Sequence, residues 1–179
     1  MPQYVALLRG IMPSNPNMHQ AKLQRVLEEL GFRSVRPVIS SGNVVFETPE
    51  TDAASLEARM EAAWPVRLGF TSTTIVRSRA QLERFVALDP YKGLEHQKAS
   101  YLLVTFFKHR PRLPFALPHQ PPGRPWRVLD KGDRALFSVV DTTGGQTPDV
   151  MAWLDRTFGR EISSRTWKTV GRILAKMDA

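Results

Sequence analysis

Four basic residues, Arg165, Lys168, Arg172 and Lys176, recur at steps of 3, 4 and 4 late in the sequence. Residues three or four apart are neighbours on a helical surface, so this spacing predicts one cationic row able to neutralise phosphates. Trp167, Val170, Leu174 and Met177 fall at steps of 3, 4 and 3 and predict the apolar face of the same helix, with Trp167 buried. A solvated amphipathic helix would show the same pattern. Arg9-Gly10 follows the apolar run Tyr4–Leu8, which places an arginine beyond a strand end, where a carboxylate or phosphate could sit. Ser41 and Asn43, in Ser40-Ser41-Gly42-Asn43, offer a hydroxyl and an amide in a tight bend. That bend is either a small anion-binding nest or ordinary turn chemistry. Trp126, in Arg124-Pro125-Trp126-Arg127, would stack a base beside cations or close the end of a core strand.

Other chemistries find no foothold. Cysteine is absent, which removes disulfides, thiolate metal sites and a thiol nucleophile together. His19, His96, His109 and His119 form no pair at metal-ligand spacing, so no metal and no cofactor is expected. Ser41 lacks the elbow sequence of a serine nucleophile. Asp130 and Asp133 flank a Lys-Gly turn and read as hairpin residues. Gly144-Gly145 lacks the Gly-Lys-Ser/Thr ending of a phosphate loop.

The 179 residues carry 25 lysines and arginines against 17 acids, a net charge of +8. Residues 1–89 hold 10 basic and 9 acidic side chains, whereas residues 90–179 hold 15 and 8. A polyanion contact is therefore expected in the second half. No apolar run approaches a membrane span, and no basic region precedes an apolar core at the N-terminus. The expected location is the cytoplasm, without membrane contact.

Which elements position these residues? Strands are expected near 4–9, 35–39, 43–47, 73–77, 99–107, 126–130 and 135–140. Helices are expected near 18–30, 52–63, 79–88, 149–158 and 166–177. Asn17 with Gln20 suggests the first cap, Ser78 with Gln81 the third, and Thr147-Pro148 the fourth. The order β-α-β-β-α-β in residues 1–89 is the ferredoxin-like arrangement, an antiparallel sheet with helices on one face. Residues 90–179 read as a second, less regular copy carrying the basic helix. Six prolines between Pro111 and Pro125 predict an exposed connection within it. The fold class is α+β, with two ferredoxin-like halves.

Three segments together carry a resemblance: Leu7-Leu8-Arg9-Gly10-Ile11, Ser40-Ser41-Gly42-Asn43-Val44-Val45-Phe46, and Arg165-Thr166-Trp167-Lys168-Thr169-Val170. In order and spacing they resemble the bacterial domain-of-unknown-function 1697 family over nearly the whole chain. The resemblance implies two ferredoxin-like halves and a soluble bacterial protein, and it implies no reaction. The family follows Arg-Gly-Ile with Asn-Val-Gly-Gly and a nearby lysine. Here Met12-Pro13-Ser14-Asn15-Pro16 stands instead, without that glycine-rich cradle. Threonine replaces the family's asparagine at Thr166, and it can still cap a helix.

The residues support a non-catalytic binder of a phosphate-rich partner, nucleic acid or nucleotide, contacted by Arg9 and the Arg165–Lys176 row. The alternative is an enzyme on a small anionic metabolite, with Arg9, Asn43 and Lys168 converging in a cleft between the halves. In a third reading the excess charge serves solubility alone.

Overall fold

The computed structural model describes residues 1–145 and 148–179. Contacts divide the chain into two compact units, Met1–Leu82 with Arg172–Ala179, and Glu83–Gly171. The expected cap at Thr147 lies outside the described residues.

The first unit is built on a four-stranded sheet. Its strands are β1 (Gln3–Leu8), β2 (Arg33–Val38), β3 (Asn43–Glu47) and β4 (Thr74–Ser78). Their order is β2-β3-β1-β4 and all pairings are antiparallel. Helices α1 (Gln20–Glu29) and α2 (Ala53–Leu68) bury Leu23, Val26, Leu27, Leu56, Met60 and Trp64 against Tyr4, Ala6, Leu8, Val44, Phe46 and Val76. The sheet residues in that set alternate along each strand, as period-2 geometry demands for one face. Both helices thus lie on one face, and each aliphatic side chain buried there contributes about 1.5–3 kcal/mol.

The largest differences from the sequence expectation in this unit are at two helix boundaries. The first helix was expected over 18–30 with an Asn17–Gln20 cap, but Pro16–Met18 forms a separate 3₁₀ turn. Asn15 caps that turn, its Oδ1 accepting from Asn17 N at 3.0 Å. Pro16 supplies the fixed φ of its first position. Asn17 Oδ1 instead accepts from Lys22 Nζ at 3.0 Å, so α1 starts at Gln20 without a side-chain cap. The second helix was expected to stop at 63 and runs through Pro65 to Leu68. Asp52 caps it through Ala54 N and Ser55 N, and Gly69 ends it at φ 75°. An interior proline costs a helix about 3 kcal/mol. Trp64, fully buried with its Nε1 donating to Thr74 Oγ1 at 2.9 Å, offsets that cost and holds the last turn in place.

The second unit repeats the plan. Its strands are β5 (Tyr101–Phe107), β6 (Trp126–Gly132), β7 (Ala135–Val140) and β8 (Ile162–Thr166), and its sheet order is β6-β7-β5-β8. Strand for strand this is the order of the first sheet. Helix α4 (Val150–Phe158) packs Val150 and Leu154 onto Leu103, Val128, Leu136, Val140 and Ile162. No helix is described between β5 and β6, where the first unit has α1. The proline-rich segment 108–125 fills that position. It was expected to be an exposed connection, yet Leu113, Phe115 and Leu117 are half-buried against the core. Prolines forbid the helix but allow an extended chain, whose alternate residues still point inward.

Two further helices are α3 (Arg79–Leu88) and α5 (Trp167–Asp178). The expected α3 cap is present and reciprocal: Gln81 N donates to Ser78 Oγ and Ser78 N donates to Gln81 Oε1. In α5 the buried apolar residues are Val170, Ile173 and Met177. Leu174 and Trp167 are half-buried, so the apolar face is rotated from the one expected. Trp167 packs edge-on against Tyr91 and Phe137, at 5.3 and 5.9 Å between ring centroids.

Candidate functional site

Arg9, Ser41 and Asn43 do come together, at one end of the first sheet. The pairing Leu7↔Asn43 sets β3 beside β1 there. Arg9 N donates to Thr73 O at 2.9 Å, and Ser72 Oγ donates to Arg9 O at 2.7 Å. Asn43 is buried and acts as the brace of the β2–β3 turn. Its Nδ2 donates to Val38 O at 3.1 Å and to Ser41 Oγ at 2.8 Å. The turn is tight. Ile39 takes a φ of 49°, strained for a β-branched residue, and Gly42 takes 86°. Ser40 and Ser41 are exposed and Arg9 is half-buried, so this end presents hydroxyls beside a guanidinium-bearing strand end.

Gly42 sits under Ile11. A Cβ there would lie 2.5 Å from Ile11 Cγ1 and 3.1 Å from Leu8 O, in a backbone conformation that already disfavours alanine. Gly42→Ala is expected to cost about 2–3 kcal/mol of stability. Urea unfolding checks this, and a loss under about 0.5 kcal/mol would show that Ile11 simply moves aside.

The cationic row behaves differently. Arg165, expected to open the helix, lies in β8 opposite Val104 and is buried. Burial pushes its guanidinium down to about 10, so it stays charged at neutral pH. Its Nη1 donates to Ser163 Oγ and to Ser164 O, both at 2.8 Å. Arg77 holds the corresponding place in the first unit. It is buried in β4 opposite Val5, and its Nη1 donates to Val76 O at 2.8 Å. Each arginine precedes a capping hydroxyl, Ser78 or Thr166, with Thr166 Oγ1 accepting from Thr169 N at 3.3 Å. Arg165 is thus the structural counterpart of Arg77 and leaves the row. Comparing Val76-Arg77-Ser78 with Ser164-Arg165-Thr166 would have revealed this from sequence.

Lys168 and Arg172 remain exposed on α5 and Lys176 is half-buried. They stand four residues apart, one turn each. Among the described residues no ion pair and no side-chain hydrogen bond engages any of the three. The one acid of α5, Asp178, pairs with Arg79. His96 is held below the usual histidine range, first by burial and then by the Lys168 charge. Its Nδ1 accepts from Leu102 N at 3.1 Å.

Lys176 and the Arg9 cluster lie at opposite ends of β1. Gln3 Nε2 donates to Met177 O at 2.8 Å, which puts the last turn of α5 at the start of β1. Arg9 lies past the other end of that strand, about 20 Å away. Lys176 and the Arg9 cluster are therefore separate features. Trp126 is buried in the second core, 5.9 Å from Trp153, with the Arg124 guanidinium 5.7 Å from its ring. A base has no access to it.

A groove that sequence reasoning did not single out lies between α1 and the end of α2. Asn17, Lys22, Arg25, Val26, Glu29, Arg67, Leu68 and Gly69 line a volume of about 600 Å³. It exists because α2 continues past Pro65, a continuation that rests on the burial of Trp64.

Two antiparallel sheets of identical strand order, with their helices, define an α+β protein of two ferredoxin-like units. The chain belongs to the family described as a protein of unknown function (DUF1697), whose sequence pattern matches residues 1–120. No curated protein matches the sequence. A solved structure, the conserved bacterial protein SP0830 from Streptococcus pneumoniae, aligns with a TM-score of 0.68 at 21% identity. The alignment covers 98% of each chain, and at that identity it shows a shared fold. Among the described residues no helix is long and apolar enough to cross a membrane.

Proposed function

We propose that the protein is a non-catalytic binder of a phosphate-rich partner, a nucleic acid, in the cytoplasm, and that α5 makes the contact. The observation that carries this reading is the ridge Lys168–Arg172–Lys176, whose cations have no protein counter-charge among the described residues. Adjacent like charges on a helix repel by a few tenths of a kcal/mol per pair, and an anionic partner would offset that cost. Successive cations rise about 6 Å along the axis, a spacing that suits consecutive phosphates of one strand. The +8 net charge would speed encounter with such a partner.

With Arg165 buried, three contacts remain. Log affinity for duplex DNA should then fall with log salt at a slope of about −2.7, and fourfold more salt should weaken binding about 40-fold. Fluorescence anisotropy with labelled single- and double-stranded oligonucleotides at two salt concentrations measures this. No binding at low ionic strength would end the proposal. Tight binding of a small anion with weak oligonucleotide binding would favour an enzyme acting on a small anionic metabolite instead.

A further inference from the structure

We propose that the groove between α1 and α2 is a second anion site, one that takes a small phosphate-bearing molecule with a planar or apolar body, of nucleoside monophosphate size. Lys22, Arg25, Val26 and Glu29 stand at i, i+3, i+4 and i+7 on α1 and form one wall. Arg67, Leu68 and Gly69 form the other. Val26 is buried and Leu68 half-buried, both against the first core, so the floor is rigid and Leu68 is its accessible apolar surface. Glu29 is neutralised by its ion pair with Arg67. That leaves Lys22 and Arg25 as net positive charge. Lys22 is held by its bond to Asn17 Oδ1. Arg25 is exposed and has no hydrogen bond or ion pair among the described residues, so its guanidinium is available for a two-pronged contact with phosphate. A volume of about 600 Å³ falls within the usual range for small-ligand sites. An apolar floor under cationic walls fits a ligand whose ring lies on Leu68 while its phosphate meets Arg25 and Lys22.

This site is distinct from the α5 ridge, and the two can fail separately. Isothermal titration calorimetry at low ionic strength with adenosine monophosphate and with inorganic phosphate, each to about 5 mM, is the test. Saturable binding of the nucleotide is expected, with phosphate weaker because it cannot use the floor. Arg25→Gln should weaken nucleotide binding about tenfold, since it removes one charged contact from an exposed helical position. Reversing Lys168 and Arg172 to glutamate should leave it unchanged. Amide shifts on nucleotide addition should map to residues 22–29 and 67–69, a readout that needs no variant. Absence of binding, shifts elsewhere, or full affinity in Arg25→Gln would overturn the proposal. Equal affinity for phosphate and nucleotide would overturn the role of the apolar floor. Loss of nucleotide binding on reversing the α5 charges would place the ligand on the ridge instead.

Discussion

Reversing Lys168 and Arg172 together to glutamate is expected to weaken oligonucleotide binding about 200-fold at about 50 mM salt. Each phosphate contact releases close to one counterion, and at that salt each release supplies a little over one decade of affinity. Two contacts therefore supply somewhat more than two decades. The slope of log affinity against log salt should drop to about −0.9, the contribution of Lys176 alone. The fold should be unaffected, because both side chains are exposed and neither makes a hydrogen bond or ion pair among the described residues. Reversal should even relieve repulsion along the helix by a few tenths of a kcal/mol. Anisotropy titrations of the double variant, paired with its urea midpoint, decide the matter. An unchanged salt slope with an unchanged midpoint would show that the polyanion contact lies elsewhere.

Trp64→Ala is expected to cost about 4 kcal/mol, the middle of the range for removing a large buried aromatic. The indole is fully buried, stacks on Phe70 at 5.9 Å between centroids, and fills the first core beside Met60 and Ala63. Its removal also orphans a polar chain. Thr74 Oγ1 accepts from the indole and donates to Ser72 O at 3.1 Å. Trp64→Phe keeps much of the volume but deletes the donor, and should cost about 1–2 kcal/mol. For a chain of this size, about 4 kcal/mol corresponds to a fall in Tm of roughly 8–16 °C. Because Trp64 holds the helix through Pro65, the alanine variant should also lose order in Arg67 and Leu68, and with it the α1–α2 groove. Thermal unfolding monitored by circular dichroism measures the first effect. A Tm lowered by less than about 3 °C would show that the core refills the space.

Seven of the eight strands could be read from sequence, whereas β8 was not among those expected. Val44-Val45-Phe46, Tyr4–Leu8 and Ala135–Val140 are apolar runs bounded by turn residues, and local β-preference agrees with tertiary burial at each. The Ser78–Gln81 cap was legible for the same reason, since its donors and acceptors lie within four residues of one another. The Arg9, Ser41 and Asn43 cluster was legible as turn and strand-end chemistry, and the antiparallel register brings it together. Where the expectations failed, a distant residue had decided the matter. Pro65 looks like a helix end until Trp64 finds Thr74, ten residues away. Leu113, Phe115 and Leu117 look like linker until a helix-less flank of the second sheet needs cover.

Arg165 makes the sharpest division. Its spacing to Lys168, Arg172 and Lys176 suits a helical row, and helical periodicity alone cannot tell the last residues of a strand from the first turn of the helix that follows. Pairing with Val104 on β5, 61 positions earlier, settles the question in favour of the strand and buries the guanidinium. Composition, charge, the apolar runs and the local caps were thus determined by the sequence itself, because they depend on neighbours in the chain. The course of α2, the inward side of the proline-rich segment, the membership of the cationic ridge and the α1–α2 groove were decided by the tertiary structure. Each depends on burying surface against residues far away in sequence, where the packing free energy exceeds the local preference.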